Sequence, residues 1–347
     1  MSVLHLRRDM VVAEEPVVEI ETPFPLVAVE DRPGARASND QTGKPKKSFA
    51  RRVGSTVRWF VLIGLLAVYP ALIVLSSDVG DREIDGLVDR TQWSAPWAGG
   101  AATVLEHHYR HLGWAADAPS WAPMGVLTAK PAFQAALAES VGEYVSLVAR
   151  QASARGAPDT DLEAAARLLN ANTTGVQLRA ARDALVGYDG RVRARSGEPA
   201  TRPVDLDARF SLIQQWAERS QTELVMTASM VGGSPWDEAA TRTVYAAKGR
   251  AQAAYLFLDT IAWPDDSRAL AARSEALAAW KAAAQFRPVF VFNGAPDAAL
   301  FGNHASSMSF LTAQAMAKTQ SYLAYFPSEP QDAAPADGVA AGPVDGA

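Results

Sequence analysis

The sequence predicts an all-α protein, with one N-terminal transmembrane helix followed by an exported bundle of about seven helices. Three observations carry that expectation: an uncharged apolar run near the N-terminus, helix-start signals recurring beyond it, and a near absence of strand signals. Hydrophobic residues make up 48% of the 347 and charged ones 20%, enough apolar surface for a real core.

The first element is the run from Trp59 to Ser77, WFVLIGLLAVYPALIVLSS, which holds no charge. A hydrocarbon core of about 30 Å takes about 20 helical residues, and the run just reaches. Pro70 inside it is tolerable in lipid where a neighbour satisfies the freed carbonyl. Orientation follows from the flanks. Lys44, Lys46, Lys47, Arg51, Arg52 and Arg58 precede the run with no acid among them, whereas Asp78, Asp81, Glu83, Asp85 and Asp89 follow it against Arg82 and Arg90. The positive-inside rule then puts residues 1–58 in the cytoplasm and the bulk of the chain on the far side of the membrane. Val74 and Ser76 offer a cleavage pattern, but the long apolar run and its long upstream region favour an uncleaved signal anchor.

Residues 1–58 hold only Phe24 and Phe49 as aromatics and no sustained period, the composition of a disordered tail with a basic end. Residues 328–347 hold four acids, no base and mostly Ala, Gly and Pro, a second disordered tail. Between them, 78–327 is expected to fold as one helical domain.

Within that domain, Gly113 is expected to close the helix carrying His107. Thr160-Asp161-Leu162-Glu163 reads as a capping box, and Asp205 and Asn303 as N-caps. Ser234-Pro235-Trp236-Asp237 reads as an N-cap followed by a proline at the first helical position. Val244, Ala247, Ala251, Ala254, Tyr255 and Leu258 recur at three and four, an apolar stripe. Alanine-rich 267–285 and 312–317 suggest close helix–helix approach. Arg287 to Phe292 is the one β-like run, and Pro288 demotes it.

Composition also excludes chemistry. Without cysteine there is no disulfide, no Cys-ligated zinc or iron–sulfur centre and no thiol nucleophile. A net charge of -5 argues against a nucleic-acid partner. No cofactor is expected.

Several groups invite a functional reading. His107 and His111 lie at i and i+4, the spacing of two metal ligands on one helix face. The zincin pattern needs a glutamate where His108 stands, and Arg110 sets a fixed positive charge beside the ion, so the metal reading is rejected for a polar, solvated face. His304 with Ser306 and Asp297 outlines a Ser/His/Asp set, but no nucleophile elbow supports it. Asn293, Gly294, Gly302, Asn303, His304 and Ser306 are therefore expected to form a structural or ligand-binding cluster. In it the glycines turn the chain, Asn303 caps the last helix, and Met308, Phe310 and Leu311 face inward. Gly232-Gly233-Ser234 is a weak anion-binding signal. Trp93, Trp97, Trp114 and Trp121 are expected mainly as core anchors, and Arg191, Arg193, Arg195 and Arg202 as an exposed basic loop.

Taken together, Trp121-Ala122-Pro123, Pro131-Ala132-Phe133-Gln134, Tyr245-Ala246-Ala247-Lys248-Gly249, Phe292-Asn293-Gly294 and Gly302-Asn303-His304-Ala305-Ser306 with Met308 resemble the bacterial domain of unknown function 2333 family. Where that family tends to carry Asp-Asn before the proline and Asn after it, this chain has Ala129, Lys130 and Ala132. The resemblance implies a short cytoplasmic tail, one membrane helix and a helical exported domain, and it brings no activity. The expectation is a non-enzymatic interaction or scaffold protein of the bacterial inner membrane, with the lipid bilayer and envelope proteins as partners and its domain in the periplasm. The alternatives are a ligand-sensing periplasmic domain and a hydrolase built on Asn293, His304 and Ser306.

Overall fold

The computed structural model describes residues 58–64, 66–68, 71–72, 78–80, 90–195, 202–230, 237–261, 266–288, 291–294 and 302–326, and among the described residues from 90 onward the helix-start signals resolve into eight α-helices. They belong to one unit, residues 57–347. The helices are α1 (Pro96–His107), α2 (Ala129–Ala154), α3 (Thr160–Leu168), α4 (Gly175–Ala194), α5 (Pro203–Ser229), α6 (Glu238–Thr260), α7 (Ser267–Ala284) and α8 (His304–Leu323). No strand occurs among the described residues; only an isolated antiparallel bridge joins Asn293 to Asn303. The all-α expectation holds.

Residues 58–64, 66–68 and 71–72 are helical, with Trp59, Phe60, Leu62, Ile63 and Leu66 exposed. Among the described residues no helix is long and apolar enough to cross a membrane. Of the expected tails 1–58 and 328–347, all but Arg58 lies outside the described residues, as do Gly232-Gly233-Ser234 and Asp297.

The bundle is built around α2 and α6. Helix α5 packs on α6 and α8, α7 on α6 and α8, α1 on α4, and α3 on α2 and α4. The reason α2 and α6 approach so closely is glycine. A Cβ at Gly249 would lie 2.4 Å from the Phe133 carbonyl oxygen and 3.0 Å from the Leu137 nitrogen, so only a hydrogen fits between the two backbones. Beside this crossing, Tyr144 of α2 stacks on Phe257 of α6 with centroids 3.8 Å apart, and Trp97 and Trp216 flank the pair. A second aromatic group, Phe210, Tyr322 and Phe326, joins α5 to the end of α8.

Several helix ends are held by groups from elsewhere in the chain. The Asp189 carboxylate of α4 accepts the Ser94 and Ala95 amides, each at 2.7 Å, and so supplies α1 with the cap its own Ala95 lacks. Asp117 accepts the Gly175 amide at the start of α4, adding to the capping box that Thr174 and Gln177 form there.

Five sequence expectations are corrected. Asp159, not Thr160, caps α3: its carboxylate takes the Asp161 and Leu162 amides, which a hydroxyl cannot do as well, and Arg191 neutralises it. Asp205 is not a cap but a buried first-turn residue of α5, paired with Arg202 and Arg155. Helix α6 starts at Glu238 with Asp237 as its cap, and Ser234 to Trp236 lie outside the described residues. Arg191 and Arg193 are not in a loop; α4 runs through them, and each meets an acid, Asp159 with Asp161 and Asp189 respectively. Trp97 and Trp114 are the core anchors expected, but Trp121 is 76% exposed.

Candidate functional site

The cluster singled out around Asn293 assembles in space. Asn303 caps α8 with its side-chain oxygen, 2.8 Å from the Ser306 amide. Its side-chain nitrogen donates to the Asn293 side-chain oxygen at 2.9 Å and to the Gly294 carbonyl at 3.1 Å. Asn293 in turn donates to the Thr227 and Met230 carbonyls at 2.8 and 3.1 Å, which are orphaned acceptors at the C-terminus of α5. Both asparagines are buried. Two side chains thus clasp the end of one helix to the start of another.

His304 joins this clasp through the backbone. Its amide donates to the Phe292 carbonyl at 3.1 Å, and its Nδ1 accepts the Phe292 amide at 2.9 Å. A ring nitrogen that accepts a backbone N–H carries no proton there, so the ring is held in the Nε2–H form. Burial lowers its pKa below the usual histidine value. This is not how a catalytic histidine is oriented: a triad carboxylate needs Nδ1–H as donor. Ser306 enters only through its backbone amide. Gly294 and Gly302 border 295–301, which lie outside the described residues, and Asn293, expected to make a tight turn with Gly294, instead forms the antiparallel bridge with Asn303. Phe310 does not face inward: it is 68% exposed, whereas Met308 is fully buried. Two residues on a helix differ by about 200°, which puts 308 and 310 on opposite sides.

Because the Asn303 side chain holds these three contacts, its removal costs more than a cap. Asn303→Ala loses the cap, about 1 kcal/mol, and strands the buried Asn293 oxygen, about 1–3 kcal/mol more. The expected total of about 2–4 kcal/mol is measurable by chemical denaturation.

A second polar group, missed as a site, lies where α1 ends. Here His108–Leu112 form a π-helical turn closed by Gly113 at φ 77°. Lys130 Nζ donates to the Leu112 carbonyl at 2.6 Å. Gln134, one turn further on the same face of α2, donates to the Gly113 carbonyl at 2.9 Å and accepts the Ala115 amide at 2.9 Å. Its amide nitrogen also lies 3.5 Å from His108 Nδ1. The expectation of a solvated histidine face is overturned for His108, which is buried against Phe133 with Nε2 unpartnered. Burial, aided by the nearby His107 and Lys130 charges, drops its pKa to about 3. The signal was present: Trp97, Ala101, Val104, Leu105 and His108 recur at three and four, so His108 continues the buried stripe. His107 and His111 sit with ring centroids 5.5 Å apart. Among the described residues, no group of three or more histidines and carboxylates converges to hold a metal ion.

Comparison with family models, with curated proteins and with solved structures finds no match to this chain.

Proposed function

We propose that the chain is a single-pass protein of the bacterial inner membrane whose helical domain serves as a periplasmic interaction or scaffold module, akin to the domain of unknown function 2333 family. One observation carries the reading: a helical apolar stretch whose Trp59, Phe60, Leu62, Ile63 and Leu66 are exposed to solvent, flanked by bases on one side and acids on the other. Exposed apolar side chains in such a row are costly in water and favourable in lipid. Trp59 then stands at the cytoplasmic interface, where an indole meets headgroups and tails together.

The interaction reading is favoured over a hydrolase by the clasp. The Asn293 and Asn303 side chains are engaged with helix ends and with each other, and His304 Nδ1 accepts the Phe292 amide instead of donating to a carboxylate. A ligand-sensing role finds less support, since residues 1–58 hold only Phe24 and Phe49 as aromatics and no sustained period on which to build an output module.

Paired reporter fusions at Gly43 and Ala347 test the topology. The expected result is activity of a cytoplasmic reporter at Gly43 only and of an export-dependent reporter at Ala347 only. Cytoplasmic activity at Ala347 overturns the assignment. Crosslinked membranes from producing cells should yield a reproducible set of envelope partners, and an empty set counts against the scaffold.

A further inference from the structure

We propose that Asp78, Val79 and Gly80 form a fixed joint that holds the helical domain in one orientation on its membrane helix, with the π-helical turn His108–Leu112 as the socket. The inference rests on the membrane-anchor reading above and adds to it a statement about coupling. An anchor of this kind can be a loose tether or a rigid mount, and the contacts of 78–80 favour the mount.

Val79 is 4% exposed and belongs to the same hydrophobic core as Trp97, Leu105 and Phe133. Burying it on the domain removes the freedom a tether needs. Gly80 lies in the left-handed region at φ 72°, where its amide donates to the Asp78 carboxylate at 2.9 Å. A Cβ there would fall 2.6 Å from Leu112 Cδ1 and 3.2 Å from His107 Nε2, so the glycine backbone is seated directly on the socket. Leu112 is gripped from its other end as well, since Lys130 Nζ holds its carbonyl. Asp78 bears electrostatically on both Lys130 and His108, favouring their charged forms. Three consecutive residues at the end of the apolar run therefore engage one turn of one helix, by packing, by backbone fit and by charge. A π-helical turn is an uncommon element, often found where a helix has a task beyond spanning distance.

The chain contains no cysteine, so two introduced thiols report alone. The experiment places nitroxides at Leu66→Cys and Gln314→Cys of the full chain, both exposed positions, and measures their distance distribution by pulsed electron resonance in lipid nanodiscs. A variant with a Gly-Ser-Gly-Ser insertion between Ser77 and Asp78 supplies the width of a free tether. The expected result is a single distribution clearly narrower than that reference. Gly80→Val, strained at its φ and clashing with Leu112, should broaden it toward the reference while circular dichroism shows the helices intact. A wild-type width equal to that of the insertion variant overturns the joint, and so does a Gly80→Val width that stays narrow. Carbonate extraction of the same membranes separates the two ideas. Resistant protein with a broad distribution sinks the joint alone, and protein released by carbonate sinks the anchor and the joint with it.

Discussion

Gly249→Ala is expected to lower the stability of the domain by about 3 kcal/mol, at the upper end of what overpacking costs. Two features set that size. The added methyl meets backbone, the Phe133 carbonyl at 2.4 Å and the Leu137 nitrogen at 3.0 Å, and helix backbone cannot swing aside as a side chain can. The crossing also sits at the centre of the bundle, next to the stacked Tyr144 and Phe257, so separating α2 from α6 loosens packing on both sides. Gly190→Ala is the matched control. It lies within α4 with nothing within 4 Å of its Cβ position, so alanine there should stabilise by about 0.5–1 kcal/mol. The same substitution at two glycines should thus shift thermal midpoints in opposite directions, by about 6–12 °C downward for Gly249 and by a few degrees upward for Gly190. A neutral Gly249→Ala would mean that the two helices do not pack backbone to backbone.

How far the sequence foretold this architecture depends on the range of the interaction. Helix positions were legible because their signals are local. Of the stripe Val244, Ala247, Ala251, Ala254, Tyr255 and Leu258, all lie buried in α6 as periodicity requires except the half-buried Tyr255, Gly113 closes the first helix, and Asn303 caps the last. The misplaced caps are local errors of one residue or a few, and they share a cause. Local spacing favours Thr160 over Asp159 and makes Asp205 a cap, because the deciding partner is an arginine distant in sequence or in a segment whose composition is that of a loop. Which carboxylate caps and which one pairs is settled by tertiary contacts that no spacing rule contains.

The same division runs through the two polar groups. Asn293 and Asn303 were both picked out, and their mutual contact joins residues ten apart. Their targets on α5, the Thr227 and Met230 carbonyls, were invisible, since backbone acceptors leave no trace in a sequence. At the end of α1 the attention drawn by His107 and His111 went to the wrong face. A metal-ligand spacing compares side chains with each other, whereas burial compares a side chain with the helix packed against it. Lys130 and Gln134 sit where they do because α2 must satisfy the carbonyls that the π-helical turn leaves open.

Acidification from pH 6.5 to 4 is expected to destabilise the folded domain by several kcal/mol, and His108→Asn should remove most of that loss. The sign follows from which state binds the proton. The folded pKa of His108 is lowered to about 3 from an unfolded value of 6.5, so between those values the unfolded chain carries a proton that the folded one does not. Stability is therefore full above pH 6.5 and falls as the pH drops, by up to about 1.4 kcal/mol per unit through this window. The groups around the ring fix the direction. Burial disfavours the imidazolium, His107 on the same helix and Lys130 on α2 add like charge, and only Asp78 opposes them. Gln134 offers Nδ1 a donor, which favours the neutral ring. The window also separates His108 from the carboxylates. Asp205, held below its ordinary pKa by Arg202, loses its contribution only as the pH falls below about 4. His304 shifts in the same direction as His108 but is only half-buried, so it should leave a small residual slope in His108→Asn. Asparagine keeps an acceptor near the position of Nδ1 and cannot titrate. Urea unfolding of the detergent-solubilised protein at pH 7, 6, 5 and 4 gives the test. A wild-type stability flat across this range would show that His108 is protonated without penalty, and its burial behind Phe133 and Gln134 would then be wrong.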